Sequence, residues 1–174
     1  LNQSDRIMIG KMVGKVQAAY YSVAYTISTI MLLLVTAVNN ALTPYIYKTI
    51  KDNKTEEIKS KINPIVILMA FLSIFIMALA PEIIRIFAGE NYVDAMYVIP
   101  PIAASVYFIF VYSMFSTIEY YYQKTGLISI ATSISAILNL LLNYFGIKIW
   151  GYYAAGYTTL ICYLCLTVFH YIFY

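Results

Sequence analysis

The sequence predicts an all-α membrane protein with five full transmembrane helices plus the end of a sixth. Three observations carry this expectation. Hydrophobic residues make up 62% of the 174 and charged residues only 11%, against about 45–50% and about 25% in an ordinary globular chain. A core of this size cannot bury so much apolar surface, and a bilayer can solvate it. Second, the apolar residues fall in five stretches near the length that spans a bilayer, roughly 20 residues. Third, these stretches lack the period-2 alternation of barrel strands.

The spans are expected at about 18–46, 64–80, 95–122, 127–146 and 151–174. The first, at about 1.5 Å per residue, is roughly 44 Å long and must tilt or protrude from a hydrocarbon layer of about 30 Å. Residues 1–9, "LNQSDRIMI", are expected to be the outer end of a helix whose first half is absent. Asp5 and Arg6 then fall within that span. A charge at the bilayer centre costs about 2.5–3.5 kcal/mol or more, so the pair should face protein or water. Position alone leaves a second reading open, an interfacial helix end.

The connections have their own chemistry. "KTIKDNKTEEIKSKINP" (48–64) is strongly polar and is expected to form a loop with a short surface helix, supported by pairs such as Glu57–Lys61. Pro81 suits a first helical turn and Gly89 its end, so 81–95 reads as an interfacial element. "QKTG" and "GIKIWG" read as tight turns, and Pro100–Pro101 as a kink inside a span. Six lysines in loops 48–63 and 123–126 oppose four basic residues in the alternate loops, which places the lysine-rich loop and the C-terminus in the cytoplasm.

Polar residues mark the helices further. Ser22, Tyr25, Thr29, Leu32, Thr36, Asn39 and Thr43 follow steps of three and four along one face. Ser129, Thr132, Ala136, Asn139 and Asn143 form a similar face, and Ser105, Tyr112, Ser116 and Glu119 have compatible spacing. Hydroxyls are common glue between membrane helices, with about 0.6 kcal/mol per hydrogen bond. That explains most Ser and Thr but fits Asn39, Asn139, Asn143 and Glu119 less well. A shared hydrated cavity is the alternative. Gly151, Ala155 and Thr159 read as a close-packing run. Of the nineteen tyrosines, Tyr45, Tyr47, Tyr120, Tyr121, Tyr122, Tyr171 and Tyr174 suit an interfacial belt. Tyr25 and Tyr112 fall on polar faces, where a flat ring with a hydroxyl would suit sugars.

Other classes are disfavoured. The net charge is only +3, with no basic tail or arginine–aromatic surface for nucleic acid. Cys162 and Cys165 lie within an apolar helix and read as packing rather than redox or metal ligands, and His170, near the end of the last helix, reads as a packing or interfacial residue. "GKMVGK" lacks the spacing and the Ser or Thr of a phosphate loop, and no G-x-S-x-G or H-E-x-x-H is present. No enzyme and no cofactor are expected.

Several stretches together resemble one family. "SDRIMIGKMVGKVQAAYYSVAYTIS", "ALTPYIYK", "PEIIRIFAGENYVDAMYVIPPIAAS", "YYYQKTG" and "LNLLLNYFGIKIWGYYAAGYTTL" are similar, in this order and spacing, to the C-terminal half of bacterial polysaccharide-unit flippases. These belong to the MATE-like multidrug/oligosaccharidyl-lipid/polysaccharide superfamily. "GYYAAG" departs from the small-residue start usual in the last helix. The resemblance implies one six-helix lobe of a two-lobe transporter in the bacterial cytoplasmic membrane. Its substrate would be an undecaprenyl-diphosphate-linked oligosaccharide, flipped by alternating access. The partners so implied are that substrate, membrane lipids, the absent N-terminal lobe and a coupling ion. Arg6 would meet the diphosphate, and Asp5 would orient it or join in ion coupling. Tyr25, Asn39, Asn139 and Asn143 would meet sugars. Two rival functions stay open at this point. One is a drug or cation exporter using Glu119 or Asp5. The other is a membrane glycosyltransferase or polymerase with carboxylates near Glu82, Glu90 and Asp94.

Overall fold

The computed structural model describes residues 2–173; Leu1 and Tyr174, the latter expected in the aromatic belt, lie outside them. The described chain is helical apart from short turns. Seven α-helices follow in order, α1 (Asn2–Met12), α2 (Lys15–Lys51), α3 (Thr55–Ala78), α4 (Ala80–Phe87), α5 (Ile99–Tyr121), α6 (Thr125–Trp150) and α7 (Tyr153–Phe173), with a 3-10 segment at Glu90–Tyr97 before α5. Five of them, α2, α3, α5, α6 and α7, are long and apolar enough to cross a membrane.

The ends of these helices differ from the sequence expectation. The polar stretch 48–63 is not a loop. Helix α2 runs on to Lys51 and α3 begins at Thr55, which leaves a turn of three residues. Lysine and glutamate are good helix formers, so helices continue past the apolar zone into the charged margin. Glu57 pairs there with Lys54 at 3.8 Å, both exposed, a contact that contributes little. The turn closes with Asn53 at φ 57° and the Lys54 N–H donating to the Thr49 carbonyl at 3.0 Å. The turn after α5 repeats the device with Gln123 at φ 58° and Lys124 N–H donating to Glu119 O at 2.9 Å. Both are left-handed helix closures that satisfy end carbonyls.

At the opposite end, Pro100 and Pro101 lie in the first turn of α5 rather than inside it. Proline fits that position because the first N–H groups of a helix have no intrahelical partner. No kink follows from them there. "GIKIW" also continues α6, and the turn is confined to Gly151, at φ 70°, and Tyr152.

Helix α5 is central and packs against α2, α3 and α7; α6 lies on α7 and α1, and α1 on α2. The close approach of α5 and α7 needs Gly156, where an added Cβ would come within 2.9 Å of Pro101 Cγ. Two apolar cores form, one towards each end. Ile9, Tyr21, Ala24, Ile84, Ile99 and Tyr152 fill the first, at the α4 end. Met31, Val35, Ile50, Ile58, Phe110 and Ile118 fill the second, at the lysine-rich end. Phe71, Ile74 and Phe75 on α3 and Ile134, Ile137 and Phe145 on α6 are more than half exposed. Such a surface is an aggregation liability in water and a natural one against lipid.

Candidate functional site

The seven sequence-selected residues fall into four separate clusters. The largest joins four helices. Asp5 of α1 is fully buried. Its Oδ2 accepts from the Tyr21 hydroxyl of α2 at 2.8 Å and from Thr159 Oγ1 of α7 at 3.0 Å. Its Oδ1 accepts from Asn143 Nδ2 of α6 at 2.6 Å. Asn143 Nδ2 also donates to Asn139 Oδ1 at 3.1 Å, and Asn139 Nδ2 donates to Thr159 Oγ1 at 3.3 Å. Thr158 Oγ1 donates to Asn143 Oδ1 and, at 3.0 Å, to Ala155 O. A buried carboxylate is tolerable only with such partners, and here it has three donors. The i,i+4 spacing of Asn139 and Asn143 stacks both amides on one face of α6.

Arg6 lies next in sequence on α1 and is half-buried. Its guanidinium carbon stands 4.9 Å from the centre of the Tyr25 ring, a cation–π distance. Its Nε is buried without a hydrogen-bond partner. An unmatched guanidinium N–H in a low-dielectric setting favours an anion.

Asn39 of α2 lies half a helix away. Its Nδ2 donates to Ser113 Oγ of α5 at 2.9 Å, and Ser113 Oγ also donates to Phe110 O at 2.6 Å. Glu119 of α5 forms the fourth cluster. His170 Nδ1 lies 2.8 Å from its Oε2 and 3.0 Å from its Oε1, with both side chains buried. Tyr112 stacks on the His170 ring at 5.7 Å and on Tyr163 at 6.2 Å.

The polar stripe of α2 is mostly half-buried, with Thr36 exposed. Several of its hydroxyls return to their own helix: Ser22 to Ala18 O, Thr29 to Tyr25 O, Thr36 to Leu32 O and Thr43 to Asn39 O. On α5 and α6, Ser105, Ser116, Glu119, Asn139 and Asn143 are buried. The stripes therefore divide into buried side chains that join helices and half-open ones, Tyr25 and Asn39 among them, with Asn39 also tied to Ser113 of α5 and Arg6 half-open beside them on α1.

Sequence reasoning missed Tyr21, Ser113 and Thr158 and gave His170 to packing. Tyr21 had a signal, since it precedes Tyr25 by four residues and shares its face. His170 had none, because its carboxylate partner is 51 residues away. Both cysteines are free thiols, Cys162 buried and Cys165 exposed. Glu82, Glu90 and Asp94 are exposed on α4 and the 3-10 segment.

Comparison with known proteins bears on this arrangement. A protein of Haloferax volcanii named "Probable low-salt glycan biosynthesis flippase" is 26% identical over 170 residues, which cover 95% of this chain and 36% of that protein. The chain thus spans about a third of the relative's length. No solved structure matches the chain significantly. The MatE family model matches residues 1–145, through α1 and most of α6, and the chain, a multi-pass membrane protein by its five apolar helices, belongs to the MatE family.

Proposed function

We propose that this chain is one lobe of a flippase that carries a lipid-diphosphate-linked oligosaccharide across a membrane by alternating access. The observation that carries the reading is Arg6: a half-buried guanidinium in an apolar helical bundle, backed by Tyr25 and with a buried Nε that lacks a protein partner. A diphosphate head group needs such a cation where low-dielectric walls strengthen the attraction. The MatE membership and the glycan-flippase relative support the transporter class.

The proposed division of labour follows the geometry. Arg6 meets phosphate, while Tyr25 and Asn39 meet the sugars from half-open positions on α2. Asn139 and Asn143 stand behind Arg6 in the Asp5 network, which holds α1 against α2, α6 and α7. That network also offers carboxylate, amide and hydroxyl oxygens in one place, the donor set that a hard cation prefers, so Asp5 is the proposed point of ion coupling. Glu119 orients the wall formed by Tyr112 through His170. The membrane is proposed to be the bacterial cytoplasmic one, the lipid undecaprenyl, and the lysine-rich end and C-terminus cytoplasmic. A second lobe supplies the opposing wall.

Complementation tests the reading. Full-length protein carrying Arg6→Ala should fail to export surface glycan at normal protein levels, and Arg6→Lys should restore part of it. Normal export by Arg6→Ala would remove the phosphate role.

A further inference from the structure

A polar concavity lies between α5 and α6. Its volume is about 300 Å³. Its walls carry hydroxyls from Tyr112, Ser113, Ser116 and Thr117 on α5 and from Ser129 and Thr132 on α6. None of these side chains is charged at neutral pH.

The hydrogen bonds already made there define what the walls can still accept. Ser113 donates to Phe110 O, Thr117 to Ser113 O and Thr132 to Ile128 O. Their hydrogens are engaged, while oxygen lone pairs are left for an incoming donor. Ser116 Oγ differs. The residue is 5% exposed, and its hydroxyl has no partner. Leaving a buried hydroxyl unmatched is costly, so a ligand group that both donates and accepts fits there. Tyr112 is held upright by stacking on Tyr163 and His170, which presents a rigid aromatic surface.

We infer that this concavity is a subsite for one uncharged sugar ring of the lipid-linked glycan, near the lysine-rich membrane surface. The inference rests on the flippase reading. A sugar supplies paired donors and acceptors in the plane of its ring and apolar C–H faces for an aromatic wall. A volume of about 300 Å³ is at the small end of ligand sites. Ser116 lies five residues from the end of α5, about 7–8 Å along the axis, so the subsite would meet the glycan close to where it enters.

Two measurements on the full-length protein test this. First, Ser129→Cys, with Cys162→Ala and Cys165→Ala, should react in membranes with a charged maleimide. Absence of labelling would mean that the concavity is closed in the intact protein and would overturn the inference. Second, binding is compared for two probes, a polyprenyl diphosphate and the same lipid bearing one N-acetylhexosamine. Ser116→Ala and Thr132→Leu should each weaken the sugar-bearing probe about two- to tenfold, the range of one lost hydrogen bond, and leave the bare diphosphate unchanged. Arg6→Ala should weaken both. Equal loss for both probes in Ser116→Ala, or no loss, overturns the subsite while the flippase reading stands. Failure of the unmodified protein to bind either probe overturns both.

Discussion

At the scale of single residues, Asp5 is a fully buried carboxylate held from several helices at once. Three donors from three other helices converge on it. Removing it leaves the Tyr21 phenol and the Thr159 hydroxyl without this acceptor in a dry place and takes one of two acceptors from the Asn143 amide. Asp5→Ala should therefore destabilise by about 2–4 kcal/mol, more than an ordinary surface substitution. Thermal unfolding of the purified full-length protein checks this. Asp5→Asn keeps the shape but turns one acceptor into a donor facing Asn143 or Tyr21, so its cost should be smaller but real. Glu119 offers a parallel case. Glu119→Ala abandons His170 inside the bundle and should cost about 3 kcal/mol, because a buried partner left alone is worse than a pair removed together. The double variant Glu119→Leu with His170→Phe should recover much of that loss, which a double-mutant cycle would show.

The sequence made these residue types visible but not their partners. Asn139 and Asn143 stood out because amides are expensive in an apolar helix. That Asn143 bonds Asp5, 138 positions away, depends on how α1 and α6 meet. Periodicity describes one helix at a time and carries no information on that meeting. Arg6 and Tyr25 were each selected singly, and their stacking likewise emerges only from packing of α1 on α2.

At the scale of elements, hydropathy located the five spans because the membrane imposes a long apolar run on any helix that crosses it. It misjudged their ends for the same reason. The helical conformation does not stop where apolarity stops, and α2 and α3 both extend through lysine-rich sequence to a tight turn. Pro100 and Pro101 are expected to kink a span, but they open α5 directly after the 3-10 segment instead. Two substitutions test this account of the elements. Gly156→Leu drives a branched side chain into Pro101, where even a Cβ comes within 2.9 Å. It should cost about 1–3 kcal/mol or separate α5 from α7, measured as a loss of thermal stability. Gln123→Gly should do the opposite. It removes the Cβ from a left-handed position and should stabilise by about 0.5–1 kcal/mol, provided that the turn after α5 stays formed.

At the scale of the whole molecule, the described helices bury one set of polar groups and leave another half-open on α1, α2 and α5. Membrane helices have little hydrophobic reason to associate once inserted, so hydrogen-bonded clusters and close packing at small residues hold them together. The Asp5 network and the Gly156 contact supply these two kinds of adhesion, the first joining α7 to α1, α2 and α6 and the second joining it to α5. A bundle stiffened in this way can move as a body, the motion that the proposed alternating access would require of it. The proposed orientation adds a further expectation: a cysteine placed at Lys51, the last residue of α2 before the turn to α3, should be labelled only from the cytoplasmic side of sealed vesicles.

The most direct test of the central claim is water access to the half-open face. In full-length protein lacking its native cysteines, Tyr25→Cys should react with a membrane-impermeant thiol reagent. Its accessibility should shift from one side of the membrane to the other as lipid-linked substrate is supplied. Reaction only with lipid-soluble reagents, unchanged by substrate, would contradict the account by placing this face against acyl chains.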